Sequence, residues 1–168
     1  MPTTATRAKE HQARWDEITS DPSLRNLPYK VETNSRGQIV LSPHKNRHSF
    51  LQEQVQDFLD EYAPKGRHPP EFAIATPEGV KSPDVVWMSP QRRQEMEKTG
   101  DPTTLAPEVC IEVLSPSNTE EKIEEKRALY LKAGAKEVWV VDEDDQIRFY
   151  SDEEMEHSRI APDCPSEL

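Results

Sequence analysis

Val109-Cys110-Ile111-Glu112-Val113-Leu114 is a nearly unbroken apolar run with one carboxylate in its middle. A run of this kind reads as a strand covered on both faces. After it, residues 119–133 read as a helix stopped by Gly134, and residues 138–141 and 147–150 as strands joined through Asp142-Glu143-Asp144-Asp145. Before it, residues 72–75 and 85–88 are strand-like, with the turn Thr76-Pro77-Glu78-Gly79 breaking the chain between them. A short surface helix over 90–98 ends at Gly100-Asp101-Pro102. Further upstream, residues 48–62 carry Leu51, Val55, Phe58, Leu59 and Tyr62 at helical spacing, closed by Pro64 and Gly66. Residues 29–31 and 38–41 read as strands around Asn34-Ser35-Arg36-Gly37, a link that suits a hairpin. Strands mixed with two substantial helices indicate an α/β layer fold.

Composition sets the limits. The chain has 168 residues, with 32 Asp or Glu against 21 Lys or Arg, a net charge of −11 and hydrophobic residues at 33%. One domain over 29–153 fits, preceded by a helical or flexible arm over 1–28 and followed by an irregular tail over 154–168 that carries Pro162 and Pro165 and packs at Ile160. No window approaches the roughly 20 apolar residues of a spanning helix, and the N-terminus lacks the apolar stretch of a secretory signal. The expectation is a soluble, cytoplasmic protein without a membrane partner. Cys110, inside the apolar run, and Cys164, in the Pro-flanked tail, make neither a disulfide framework nor a thiolate metal site. An acidic surface repels phosphate, so nucleic-acid binding would need a local basic patch, a metal, or assembly into a homo-oligomer.

Three charged residues fall where the core is expected. Glu112 sits mid-strand, where an unpaired carboxylate is costly and shifts its pKa upward. Asp84 opens the strand at Val85, a position where a carboxylate caps a turn or points into a cleft. Lys126 shares a helix face with Ile123, Leu129 and Tyr130, so it needs a route to water or an anionic partner, and Glu112 lies on the preceding strand. Two carboxylates and an ammonium form a plausible divalent-cation hydrolysis site. Asp84 and Glu112 supply hard oxygens suited to Mg²⁺ or Mn²⁺, with the Val113 carbonyl and waters completing the shell, and Lys126 orients water or neutralises charge on a phosphate. Equally open on the residues alone is a structural Glu112–Lys126 ion pair with Asp84 as a turn cap.

Ser82-Pro83-Asp84-Val85-Val86, then Pro107-Glu108-Val109-Cys110-Ile111-Glu112-Val113-Leu114-Ser115-Pro116-Ser117-Asn118, then Glu125-Lys126-Arg127-Ala128-Leu129-Tyr130, then Gly134-Ala135-Lys136-Glu137-Val138-Trp139-Val140-Val141-Asp142 together resemble the Uma2 family of restriction-endonuclease-like proteins. The resemblance spans residues 29–150 and implies a PD-(D/E)XK nuclease-type core, a mixed β-sheet flanked by helices. It matches Asp84 to the family's PD aspartate and Glu112 to its second acidic ligand. Leu114 stands where the usual lysine two residues later would be, and Lys126 matches the family's lysine on the next helix. Lys122 replaces an aspartate that many relatives carry four residues before that lysine. The resemblance also offers Glu53 and His48 as auxiliary groups from the first core helix.

The expectation is a metal-dependent endonuclease acting on DNA, with Mg²⁺ or Mn²⁺ as cofactor. Lys45 and Arg47, beside His44 and His48, and Lys81 near Asp84 supply a narrow phosphate track. The rival is a catalytically silent interaction or assembly protein that keeps the same scaffold. Other motifs have plainer readings. His44 and His48 have the spacing of a zinc pair, but Pro43 makes one continuous helix across them doubtful, and coincidence is favoured. Cys110 reads as a small buried hydrophobe, Trp87 and Trp139 as core or interface, and Ser115-Pro116-Ser117-Asn118 as a helix cap.

Overall fold

In the computed structural model, which describes residues 3–116 and 118–168, the chain is a mixed α/β protein whose main sheet has five strands in the order β5-β6-β7-β8-β9. The elements are α1 (Thr4–Thr19), β1 (Lys30–Thr33), β2 (Ile39–Ser42), α2 (Asn46–Tyr62), β3 (Ile74–Thr76), β4 (Gly79–Lys81), β5 (Val85–Trp87), α3 (Pro90–Glu97), β6 (Val109–Val113), α4 (Glu120–Lys132), β7 (Glu137–Val141), β8 (Ile147–Tyr150) and β9 (Glu154–Met155). The 109–114 run is β6, paired antiparallel with β5 and parallel with β7. Joining two parallel strands requires a crossover, and α4 is that crossover. Ser117 lies outside the described residues. Asn118 is described, and Thr119 caps α4 by accepting the Lys122 backbone N–H at 3.2 Å.

Alternation along β6 divides the core. Val109, Ile111 and Val113 pack with Trp87, Trp139 and Phe149 against Leu51, Val55 and Leu59, the apolar stripe of α2. Burying each such aliphatic side chain is worth roughly 1.5–3 kcal/mol. Cys110 turns the other way, towards Tyr130 of α4, Ile74 and Val138. Both tryptophans on strands are therefore core. Burial raises the Cys110 thiol well above its usual pKa, in keeping with an inert side chain.

Two small hairpins stand beside the main sheet. The Asn34–Gly37 turn joins β1 to β2 as the sequence predicts, with Thr33 opposite Ile39. The turn at 76–79 plays a different part from the one expected. It folds β3 back onto β4, and the strand at Val85 joins the large sheet instead. β4, with one apolar residue between Gly79 and Lys81, carries too little pattern to be seen in sequence. Gly79 makes this hairpin possible, because at φ +111° a Cβ would lie 2.3 Å from the Thr33 carbonyl oxygen. The hairpins are tied through side chains: Thr33 Oγ1 accepts from the Val80 N–H at 2.8 Å, Lys81 Nζ donates to the Thr33 carbonyl at 2.9 Å, and Glu32 Oε2 accepts from the Ser82 N–H at 2.7 Å.

Both chain ends pack onto this frame. Ala8, His11 and Ile18 of α1 are buried, and Gln12 Nε2 donates to the Thr99 and Pro102 carbonyls at 2.9 and 2.6 Å. The 154–168 segment supplies β9 and places Ala161 and Cys164 in the core. Its anchor is Glu137, a buried carboxylate that accepts from Ser158 Oγ at 3.1 Å and from the Ile160 N–H at 3.0 Å. Glu137→Gln is expected to cost roughly 1.5–3 kcal/mol, the usual loss for hydrogen bonds to a charged group. Urea denaturation checks the value, and limited proteolysis should show the 154–168 segment released first.

Candidate active site

The antiparallel register that sets Val85 opposite Ile111, continued by one residue, sets Asp84 opposite Glu112. Two carboxylates thus face each other at the end of β5 and the middle of β6. Lys30, on β1, lies between them: its Nζ donates to Asp84 Oδ1 at 2.9 Å and sits 3.3 Å from Glu112 Oε2. Lys126, on α4, donates to Glu32 Oε1 and Oε2 at 2.8 and 3.0 Å and lies 3.5 Å from Glu112 Oε1. The Tyr130 hydroxyl, one helical turn after Lys126, donates to Glu112 Oε1 at 2.6 Å. The charges alternate in the order Asp84, Lys30, Glu112, Lys126, Glu32.

The side chains of Asp84 and Glu112 are 2% and 1% exposed. Desolvation raises the pKa of any buried carboxyl, and at Glu112 it prevails, helped by the charges of Asp84 and Glu32 against the attraction of Lys126 and Lys30. At Asp84 the same burial is outweighed by the Lys30 ammonium, by His48, and by the Val113 N–H, which donates to Oδ2 at 2.8 Å. Asp84 is therefore held well below the usual carboxylate range. Glu32 is also lowered, since Lys30 and Lys126 overcome its burial. Burial acts against the charged form of Lys30, yet Glu112, Asp84 and Glu32 together push its pKa up.

Asp84, Glu112 and Lys126, far apart in sequence, share one cluster. Lys126 approaches Glu112 as anticipated, but its hydrogen bonds go to Glu32. Val113 reaches the cluster through its N–H, whereas sequence reasoning assigned its carbonyl. His48 Nε2 lies 3.2 Å from Asp84 Oδ2, and Gln52 Nε2 donates to the Asp84 carbonyl at 3.0 Å. Glu53 is exposed on α2 and lines the same cavity as Asp84. Of the basic residues, Lys45 is the exposed N-cap of α2. Arg47 instead clasps the β7–β8 turn through the Glu143 carbonyl at 3.2 Å and the Asp145 carboxylate. Lys81 is bonded to Thr33, and burial lowers its pKa against the pull of Glu32.

Sequence reasoning missed Lys30, Glu32 and Tyr130. The signal for the first two was the alternation Lys30-Val31-Glu32, which puts both charges on one face of a strand. A cavity of about 880 Å³ lies at the Asp84–Lys30 end of the cluster, walled by those two residues, His44, Gln52 and Glu53 together with Trp15 of α1 and Phe72. That size is within the range of ligand sites. Asp84 and Lys30 form its charged floor.

Removing one member of a buried pair leaves an uncompensated charge, so Lys30→Met is expected to cost about 3–5 kcal/mol in chelator-containing buffer. Adding Asp84→Asn to that variant should return part of the loss, which a double-mutant cycle by urea denaturation reads directly.

Comparison with known proteins gives the family and the fold. The Uma2 family model, described as "Putative restriction endonuclease", matches residues 15–164. No curated protein sequence matches the chain. A crystal structure from Anabaena variabilis ATCC 29413, described as a "putative nuclease", is similar in fold with a TM-score of 0.62 at 18% identity, covering 89% of this chain and 80% of that one.

Proposed function

This chain belongs to the Uma2 family of restriction-endonuclease-like proteins, and on that premise we propose that it is a metal-dependent endonuclease that hydrolyses phosphodiester bonds in DNA. One observation carries the reading: Asp84 and Glu112 turn their oxygens towards a single cation position, held here by the Lys30 ammonium. Two hard oxygens from adjacent strands suit Mg²⁺ or Mn²⁺. Lewis-acid polarisation of a phosphoryl oxygen is the chemistry such a cation supplies when bound. Asp84, kept ionised by its surroundings, is the permanent ligand. Glu112 gains most from added positive charge, because its burial is the less well compensated.

Lys126 supplies the second cation. Held by both oxygens of Glu32, it cannot swing away, and it neutralises charge that builds on the phosphate as water adds and the ester bond breaks. Lys45 and Lys81 are the basic side chains proposed to meet the nucleic-acid backbone, while Arg47 is engaged by the β7–β8 turn. So thin a track, on a chain of net charge −11, makes a homo-oligomer the expected DNA-binding form. Among the described residues no helix is long and apolar enough to cross a membrane.

A second reading is favoured by the same lysine. Because Lys30 already stands between both acids and Lys126 adds a second positive charge, the cluster holds together without a metal, as a silent interaction or assembly protein would require. Metal titration and cleavage separate the two. Under the nuclease reading, Mn²⁺ or Mg²⁺ supports cleavage in a screen over single- and double-stranded DNA and RNA, and Asp84→Asn abolishes it while circular dichroism is unchanged. Lys126→Met should lower the cleavage rate by roughly 10²–10³-fold, the usual loss for a group that stabilises transition-state charge. Absence of both cleavage and calorimetric Mg²⁺ or Mn²⁺ binding would establish the silent protein.

A further inference from the structure

We propose that His44, His48 and Asp84 form a second cation site, selective for a borderline transition metal of the Zn²⁺ class. It shares Asp84 with the hydrolytic centre but requires neither Glu112 nor Lys126. Each of the three residues offers one ligand atom, and these atoms all lie within 4.8 Å of one another. His44 stands in the loop before Lys45, the N-cap of α2, and His48 in the helix's first turn. Pro43 does keep His44 out of the helix, yet the two rings still meet, stacked with centroids 4.1 Å apart.

One edge of a coordination polyhedron is already built. Two ligands bound at about 2.0–2.1 Å with a tetrahedral angle lie roughly 3.3–3.4 Å apart, and His48 Nε2 is 3.2 Å from Asp84 Oδ2. Lys30 bonds the other oxygen of that carboxylate, Oδ1, so Oδ2 faces the imidazoles with the Val113 N–H as its further donor. His48 is 5% exposed, and its Nδ1 has no hydrogen-bond partner among the described residues. A cation between His48 Nε2 and Asp84 Oδ2 leaves Nδ1 as it is, so the site is defined by Nε2, Oδ2 and the nearby His44 ring. His44 is exposed and can turn to close the remaining gap, and the cavity over Asp84 and His44 gives an entry path and room for a water as fourth ligand. Two imidazoles and one carboxylate suit Zn²⁺ or Co²⁺ rather than Mg²⁺.

Cobalt reports on the site without any activity measurement. Co²⁺ titrated into the full chain should give the intense visible bands of a four- or five-coordinate site with nitrogen ligands, bleached by Zn²⁺ but persisting in saturating Mg²⁺. His44→Ala, at an exposed position, should weaken Co²⁺ by at least the roughly 10–100-fold that loss of even an outer partner of a metal site costs. Absence of the bands, equal affinity in His44→Ala, or bands removed by Mg²⁺ would each overturn the proposal. The last two outcomes put the cation between Asp84 and Glu112 and leave the hydrolytic reading standing. Conversely, His44-dependent bands in a protein that cleaves no nucleic acid would remove the hydrolytic reading alone.

Discussion

Five alternating charges, from Asp84 through Lys30, Glu112 and Lys126 to Glu32, are the constraint around which the rest of this protein is arranged. None could be taken out of water alone, since the effective desolvation cost is several kcal/mol per ion. Together they are supplied by β1, the residue before β5, β6 and α4, so the chain must bring four segments to one point before any of the charges is satisfied. The apolar core on the α2 face of the sheet proceeds without them. Their contribution is to fix where the β1–β2 hairpin and α4 meet the open end of the sheet.

Sequence made β5 to β8 of the main sheet legible because they carry strong signals, whereas β9 lies in the segment read as an irregular tail and its two residues carry no pattern. The β6 run, α4 with its Gly134 stop and the β7–β8 pair all follow from apolar pattern and turn residues, and the Leu51, Val55 and Leu59 stripe marked α2. Asp84, Glu112 and Lys126 were visible for the related reason that each is charged where the pattern expects burial. Lys30 and Glu32 were not. On a short strand, alternating charge looks like a solvated face, and nothing local says that a carboxylate from β6 will cover it. The same limit hid β4, whose three residues carry no period, and the tail's anchor, because Glu137 at a strand's edge looks like an ordinary surface acid.

Lys30 also explains why family membership and cluster geometry do not by themselves fix the chemistry. An ammonium between two carboxylates is the protein's own counter-ion. It keeps the two acids compatible with burial in one core. His48 stands on the far oxygen of Asp84. A single aspartate thus meets an ammonium on one oxygen and an imidazole on the other.

Among the described residues the β1–β2 hairpin has no backbone ladder to the other strands; its tethers include Thr33, Lys81 and Glu32, Arg14 of α1 on the Gly37 carbonyl, and Lys30 in the cluster. Attachment of this kind is reversible in a way a shared sheet is not. Whatever displaces the Lys30 ammonium withdraws one of the ribbon's tethers, and whatever peels the ribbon back takes that counter-ion from both acids. By linkage the two events have one common free energy, so occupancy of the acids and docking of the ribbon can each be read as a gauge of the other.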